Sequence, residues 1–132
     1  MAAITEDYCS YEVSKLLEEK GFNEPCLSYF WSEGKDISYT DISFTQKNMY
    51  KGQILRPTLQ MACKWLREKY KIMITIFPQE VGIGVDRMCY GIYRITKDLY
   101  IPLYNGKVDS LVDSYEQACE VAIKYCLKHL IK

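Results

Sequence analysis

The chain has 132 residues, 48% of them hydrophobic and 26% charged, enough for one domain that buries about two-thirds of its unfolded surface and leaves no room for a second. Seventeen basic and seventeen acidic residues give a formal net charge of zero, which disfavours nucleic acid, because polymer affinity derives largely from neutralising phosphates. No apolar run approaches the roughly 20 residues of a membrane span, and the acidic start MAAITEDYCSYE lacks the basic and apolar regions of a signal peptide, so a cytosolic protein without membrane contact is expected.

Helical spacing of Val13, Leu16 and Leu17 predicts a first helix from Ser10 to Lys20, with Ser10 as N-cap. Gly21 stands where a left-handed residue is wanted after the helix, and Phe22 follows where a Schellman arrangement brings it against Leu17. Beyond Pro25, CLSYFW, SEGK and DISYT read as a hairpin with Leu27, Tyr29 and Trp31 alternating onto one face. From Asp41 to Leu55 the pattern fades into a polar, basic connecting loop.

The stretch PTLQMACKWLREKYK predicts a helix with Pro57 at its first position. Leu59, Ala62, Cys63, Leu66 and Tyr70 form its core stripe, and Gln60, Lys64, Arg67, Glu68 and Lys71 lie opposite. IMITIF follows as a strand covered at least in part on both faces, then PQEVGIGVDR as a turn or loop. MCYGIYRI and LYIPLY complete a meander, with Pro102 at an edge or bulge; Asn105-Gly106 signals a hairpin turn that returns KVDSLV as a short strand. A last helix opens at Ser114 with Gln117 in capping-box spacing. It buries Ala118, Cys119, Ala122, Ile123, Cys126 and Leu130, and turns Glu116, Glu120, Lys124, Lys128 and Lys132 outward, where Glu120 and Lys124 can pair. The expected fold is α+β: an antiparallel sheet of four to six strands with three helices on one face, in the order α-β-β-α-β-β-β-(β)-α.

The blocks SYEVSKLLEEKGFNEPC, RPTLQMACKWLREKYKIMI and DSYEQACEVAIKYCLKHLI resemble a family of small proteins from phages and prophages of gut bacteria. The resemblance spans about half of the chain, mainly its helices, and implies a cytosolic accessory protein of α+β fold with no assigned biochemical function. Accessory proteins of this class often bind or sequester a host component, and some trap nucleotide signals to block host defence; this is analogy at the level of a class.

Charge is uneven along the chain. Residues 1–46 carry nine acids against three bases, and residues 47–71 carry seven bases against one acid. Six cysteines without an export signal read as free thiols. None forms a CxxC pair, and His129 is the single histidine, so no metal or cofactor is expected. Cys63, Cys119 and Cys126 fall on apolar helical faces as small hydrophobes, with a reactive thiol as the alternative. The glycines of GIG at 82–84 complete neither a dinucleotide fingerprint nor a P-loop and read as a plain turn, or as a backbone nest that holds an anion beside Arg87. His129 has no marked partner for general base work, and no carboxylate pair is selected for hydrolysis.

These observations point to a non-enzymatic binding protein. Arg56, Lys64, Trp65, Arg67 and Lys71 are the first candidates for a small phosphorylated, nucleotide-like ligand, because guanidinium, ammonium and indole suit phosphate and a stacked base. Arg87, Tyr90 and Arg94 form a second group. The plain alternative is a solvated helix side whose charge is answered by the acidic first third. A different functional class is a module that docks on a host protein, and a third is a small hydrolase or nuclease. Twelve tyrosines suit a homo-oligomer built through strand or helix surfaces.

Overall fold

Ser10 caps the first helix, α1 (Tyr11–Glu19), its hydroxyl accepting from the Val13 amide at 3.2 Å. The helix ends as its sequence demands. Gly21 takes φ +92°, its amide donates to the Glu18 carbonyl at 3.1 Å, and the Phe22 amide donates to the Leu17 carbonyl at 2.9 Å. This is the double bond pattern of a Schellman close, which only a residue tolerant of positive φ completes without strain. The computed structural model describes residues 7–80, 86–105 and 114–131.

Strands β1 (Cys26–Trp31) and β2 (Asp36–Phe44) pair antiparallel, joined by a 3-10 turn at Ser32–Gly34. Leu27, Tyr29 and Trp31 share a face as predicted, but that face is the open one, and the core receives Cys26 and Phe30 instead. The segment expected to be a loop continues β2 to Phe44 and then forms β3 (Ile54–Leu55), which pairs with β1. A two-residue strand is too short to show a period in the sequence. Six strands are present among the described residues, but in two sheets rather than one, ordered β2-β1-β3 and β4-β5-β6. The second sheet is the predicted meander of β4 (Ile72–Glu80), β5 (Asp86–Ile95) and β6 (Tyr100–Asn105). Pro102 lies on β6, the outer strand of this sheet among the described residues, beside a register shift where a missing donor is tolerated. Both β4 and β5 extend into PQEVGIGVDR; its residues 81–85, and the turn and strand expected over 106–113, lie outside the described residues.

Helix α2 (Leu59–Tyr70) begins two residues later than Pro57, because Thr58 is its N-cap and accepts from the Met61 amide at 3.1 Å. Its buried stripe is Leu59, Ala62, Trp65 and Leu66, so the helix is rotated toward Trp65 and away from Cys63, which is half-buried. Lys71 does not continue the outer face: it closes the helix at φ +58°.

Helix α3 (Tyr115–Tyr125) runs into a π turn at Cys126–Leu130. The wider turn brings Leu127 into the core in place of Leu130, which is half-buried. Helices α2 and α3 pack on the second sheet, and α1 packs on β3 and α3. One core joins Val13, Leu17, Leu55, Leu66, Ile72, Ile92, Ile123 and Leu127. Lys124 pairs with Glu12 of α1 at 2.7 Å rather than with Glu120, whose carboxylate accepts from the Ser10 amide at 3.0 Å. No described helix is long and apolar enough to cross a membrane.

A side chain at Lys71 resists the left-handed conformation, so Lys71→Gly is expected to stabilise the fold by about 0.5–1 kcal/mol. Urea denaturation checks this as a raised midpoint with an unchanged slope.

Candidate functional site

The predicted basic set does not converge. It divides between an aromatic cage around Arg56 and a cleft lined by Lys64 and Trp65, with the remaining members elsewhere.

The cage is built by backbone pairing. The segment before α1 runs antiparallel to the approach of α2, with Cys9 donating to the Pro57 carbonyl and Leu59 to the Asp7 carbonyl, both at 2.9 Å. This lays Tyr8 across Arg56, whose guanidinium carbon lies 4.0 Å from the Tyr8 ring centre, 5.4 Å from Tyr39 and 5.5 Å from Phe30. The same side chain donates from one Nη to the Tyr39 hydroxyl at 2.8 Å and to Ser28 Oγ at 3.3 Å, while Nε is buried without a hydrogen-bond partner. No ion pair to Arg56 is formed among the described residues. Its charge is balanced by π faces, which contribute about 2 kcal/mol when the cation is partly desolvated. Arg56 is therefore used by the fold.

The cleft, about 590 Å³ in volume, lies between the turn after α1 and the exposed edge of α2, and is lined by Gly21, Asn23, Glu24, Pro25, Met61, Lys64, Trp65, Glu68 and Lys69. Trp65 is only 6% exposed. Phe22 and Tyr70 pack on its ring in T-shaped contacts with centres at 5.5 and 5.2 Å, so the indole is held in the core and is not the free stacking face expected of it. Lys69, absent from the predicted set, places its ammonium 5.3 Å from the Trp65 ring centre. The spacing held the signal, since Trp65 and Lys69 are four residues apart on a helix and so are neighbours. Asn23 Oδ1 accepts from the Gln46 amide at 2.6 Å, which fixes the far wall. Two ammonium groups and the carboxylates of Glu24 and Glu68 give the cleft both signs of charge within a size suited to a small molecule.

Arg67 is half-buried, its positive charge acting on Cys63, and it is not part of the cleft lining. Lys71 and Arg94 are exposed near the junction of α2 with the second sheet, where Arg94 pairs in register with Ile72. Tyr90 is buried and stacked on Tyr104 at 5.1 Å; burial, followed by the hydrogen bond with Tyr104, pushes its hydroxyl well above the usual range. This packing takes Tyr90 out of the second candidate group. The side chain of Arg87 and the GIG turn lie outside the described residues. His129 is exposed and packs on Tyr125, ring centres 4.8 Å apart. Among the described residues no group of three or more histidine, cysteine or acidic side chains is arranged to hold a metal.

Comparison with protein-family models, characterised proteins and solved structures finds no match.

Arg56→Met keeps the packed stem and removes the cation and its two hydrogen bonds. It is expected to lower stability by about 2–3 kcal/mol in urea denaturation. A change below about 0.5 kcal/mol, the size usual for a surface substitution, would show that the cage carries no stability.

Proposed function

We propose that this protein is a non-catalytic binding protein that captures a small phosphorylated, nucleotide-like ligand in the cleft between the Gly21–Pro25 turn and α2. The observation that carries the reading is the joint presence, in one concavity of about 590 Å³, of Lys64 and Lys69 on one wall and Asn23 and Glu24 on the other. Ammonium groups suit phosphate oxygens, whereas the Glu24 carboxylate suits the amino and imino groups of a base and the Asn23 side-chain NH2, its oxygen being taken by Gln46, suits a ring nitrogen or carbonyl. A mixed site of this kind holds an anion that also carries hydrogen-bond donors, and the net-neutral chain needs no long positive track. In the phage-type role suggested by the class analogy, the consequence of binding is sequestration of a host signal.

A second reading, docking on a host protein, draws on β2. Among the described residues it is an edge strand, nine residues long, on which Ile37, Tyr39 and Ile42 are exposed, Tyr39 by 64%. An open edge with apolar side chains is a site for strand addition; the same surface suits the expected homo-oligomer.

Calorimetry with a panel of mono-, di- and cyclic nucleotides separates the two. The expected result is saturable heat with at least one nucleotide, a raised melting temperature in its presence, and affinity reduced about tenfold in Lys64→Ala and in Lys69→Ala. Absence of heat with every nucleotide, together with unchanged thermal stability, would refute the ligand reading. A stoichiometric protein partner recovered from host lysate, lost on Ile42→Lys, would favour docking.

A further inference from the structure

Two of the six free cysteines meet across a helix interface. Cys63 of α2 and Cys119 of α3 lie with their sulfurs 3.4 Å apart, although 56 positions separate them in the chain. Small residues make this possible: Ala62 on α2 and Ala118 and Ala122 on α3 are fully buried, so the two helices approach closely. The two thiols differ in access. Cys119 is 2% exposed, whereas Cys63 is half-buried and reachable by a small solute.

We infer that Cys63 and Cys119 form an oxidation site, in which a hydroperoxide converts the thiol pair into a disulfide joining α2 to α3. Access assigns the roles: an oxidant in solution meets the half-buried Cys63 before the enclosed Cys119, and the electrostatics point the same way. The hydrogen bond shared with Cys119, aided by the positive charge of Arg67, lowers the Cys63 thiol from its ordinary value against the opposing effect of burial. The same hydrogen bond, with burial, pushes Cys119 far up. Cys63 is therefore the attacking thiolate and Cys119 the resolving thiol.

In the first step Cys63 sulfur attacks one peroxide oxygen, the O–O bond breaks, and the displaced hydroxide takes a proton to leave as water, giving a Cys63 sulfenic acid. In the second, Cys119 sulfur attacks the Cys63 sulfur, the S–O bond breaks, and the departing hydroxide takes the Cys119 proton. Two thiols and one hydrogen peroxide thus become one disulfide and two waters. Sulfurs already in contact need only a small approach to reach the bonding distance of about 2.05 Å.

The remaining cysteines are placed otherwise. Burial pushes the Cys126 and Cys26 thiols up to about 12, raises Cys9 well above its ordinary value, and raises Cys89 as well. They stay protonated and inert at the pH where Cys63 reacts.

The test treats the full chain with a small molar excess of hydrogen peroxide, quenches with an alkylating reagent, and maps peptides without reduction. The expected result is a Cys63–Cys119 linked peptide, four alkylated cysteines, loss of two hydrogens from the intact mass, reversal by dithiothreitol, and a melting temperature raised by about 5–10 °C. Cys119→Ala is expected to stop at a Cys63 sulfenic acid that a cyclic 1,3-dione traps. Six alkylated thiols after treatment, or a disulfide between other cysteines, would overturn the inference, and the wild-type map decides the matter even where the variant fails to fold.

Discussion

The guanidinium of Arg56 determines how four separate segments meet. Tyr8 comes from the segment before α1, Phe30 and Ser28 from β1, Tyr39 from β2, and Arg56 itself from the two residues between β3 and the cap of α2. The Arg56 amide also donates to the Ser28 carbonyl at 2.9 Å, so main chain and side chain fix the same register. A lysine in its place would supply charge but neither the planar fork nor the broad face that lies against Tyr8. The first sheet is joined to α2 at this point, and α2 in turn supplies the wall of the cleft and the thiol that faces α3.

The second constraint is the Schellman turn after α1. By delivering Phe22 into the core it gives Trp65 an edge-on partner, and Tyr70 supplies another from the last turn of α2. A tryptophan held from two sides is buried, and its burial rotates α2 so that Lys64, Glu68 and Lys69 stand along the rim. The cleft is thus a consequence of how α1 ends. At the other end of the molecule, a row of rings from Tyr90 through Tyr104 and Tyr125 to His129 joins β5, β6 and α3 to its π turn. Tyr90, Tyr104 and Tyr125 are used in this packing, whereas Tyr39, Tyr50, Tyr100 and Tyr115 remain exposed.

Much of this was legible in the chain. Ser10, Gly21, Phe22 and Ser114 act as their positions require, because capping is a local matter of one side chain and the nearest amides. The meander of the second sheet followed from alternation bounded by turn residues. The division into two sheets was not legible, since β3 has two residues and its pairing with β1 is set by tertiary contact. The site was harder to read. Arg56 and Lys64 both look like exposed bases in the sequence, and nothing local says that Tyr8, some fifty residues earlier, covers the first. Lys69 was legible through its four-residue spacing from Trp65, whereas Asn23 and Glu24 enter the cleft only because the turn after α1 folds back onto α2.

The charge asymmetry of the chain also takes a different form in three dimensions. Among the described residues, the acids of the first third do not pair with the bases of residues 47–71; Glu12 instead takes Lys124 at 2.7 Å and Lys128 at 3.9 Å from the last helix. With Arg56 enclosed by rings and Arg67 partly buried beside Cys63, the positive charge left at the surface of α2 is that of Lys64, Lys69 and Lys71, with Glu68 among them. Exposed charges are screened beyond about 8 Å at physiological salt, so such a group acts over the width of one small ligand. Of this group Lys64, Glu68 and Lys69 border the cleft.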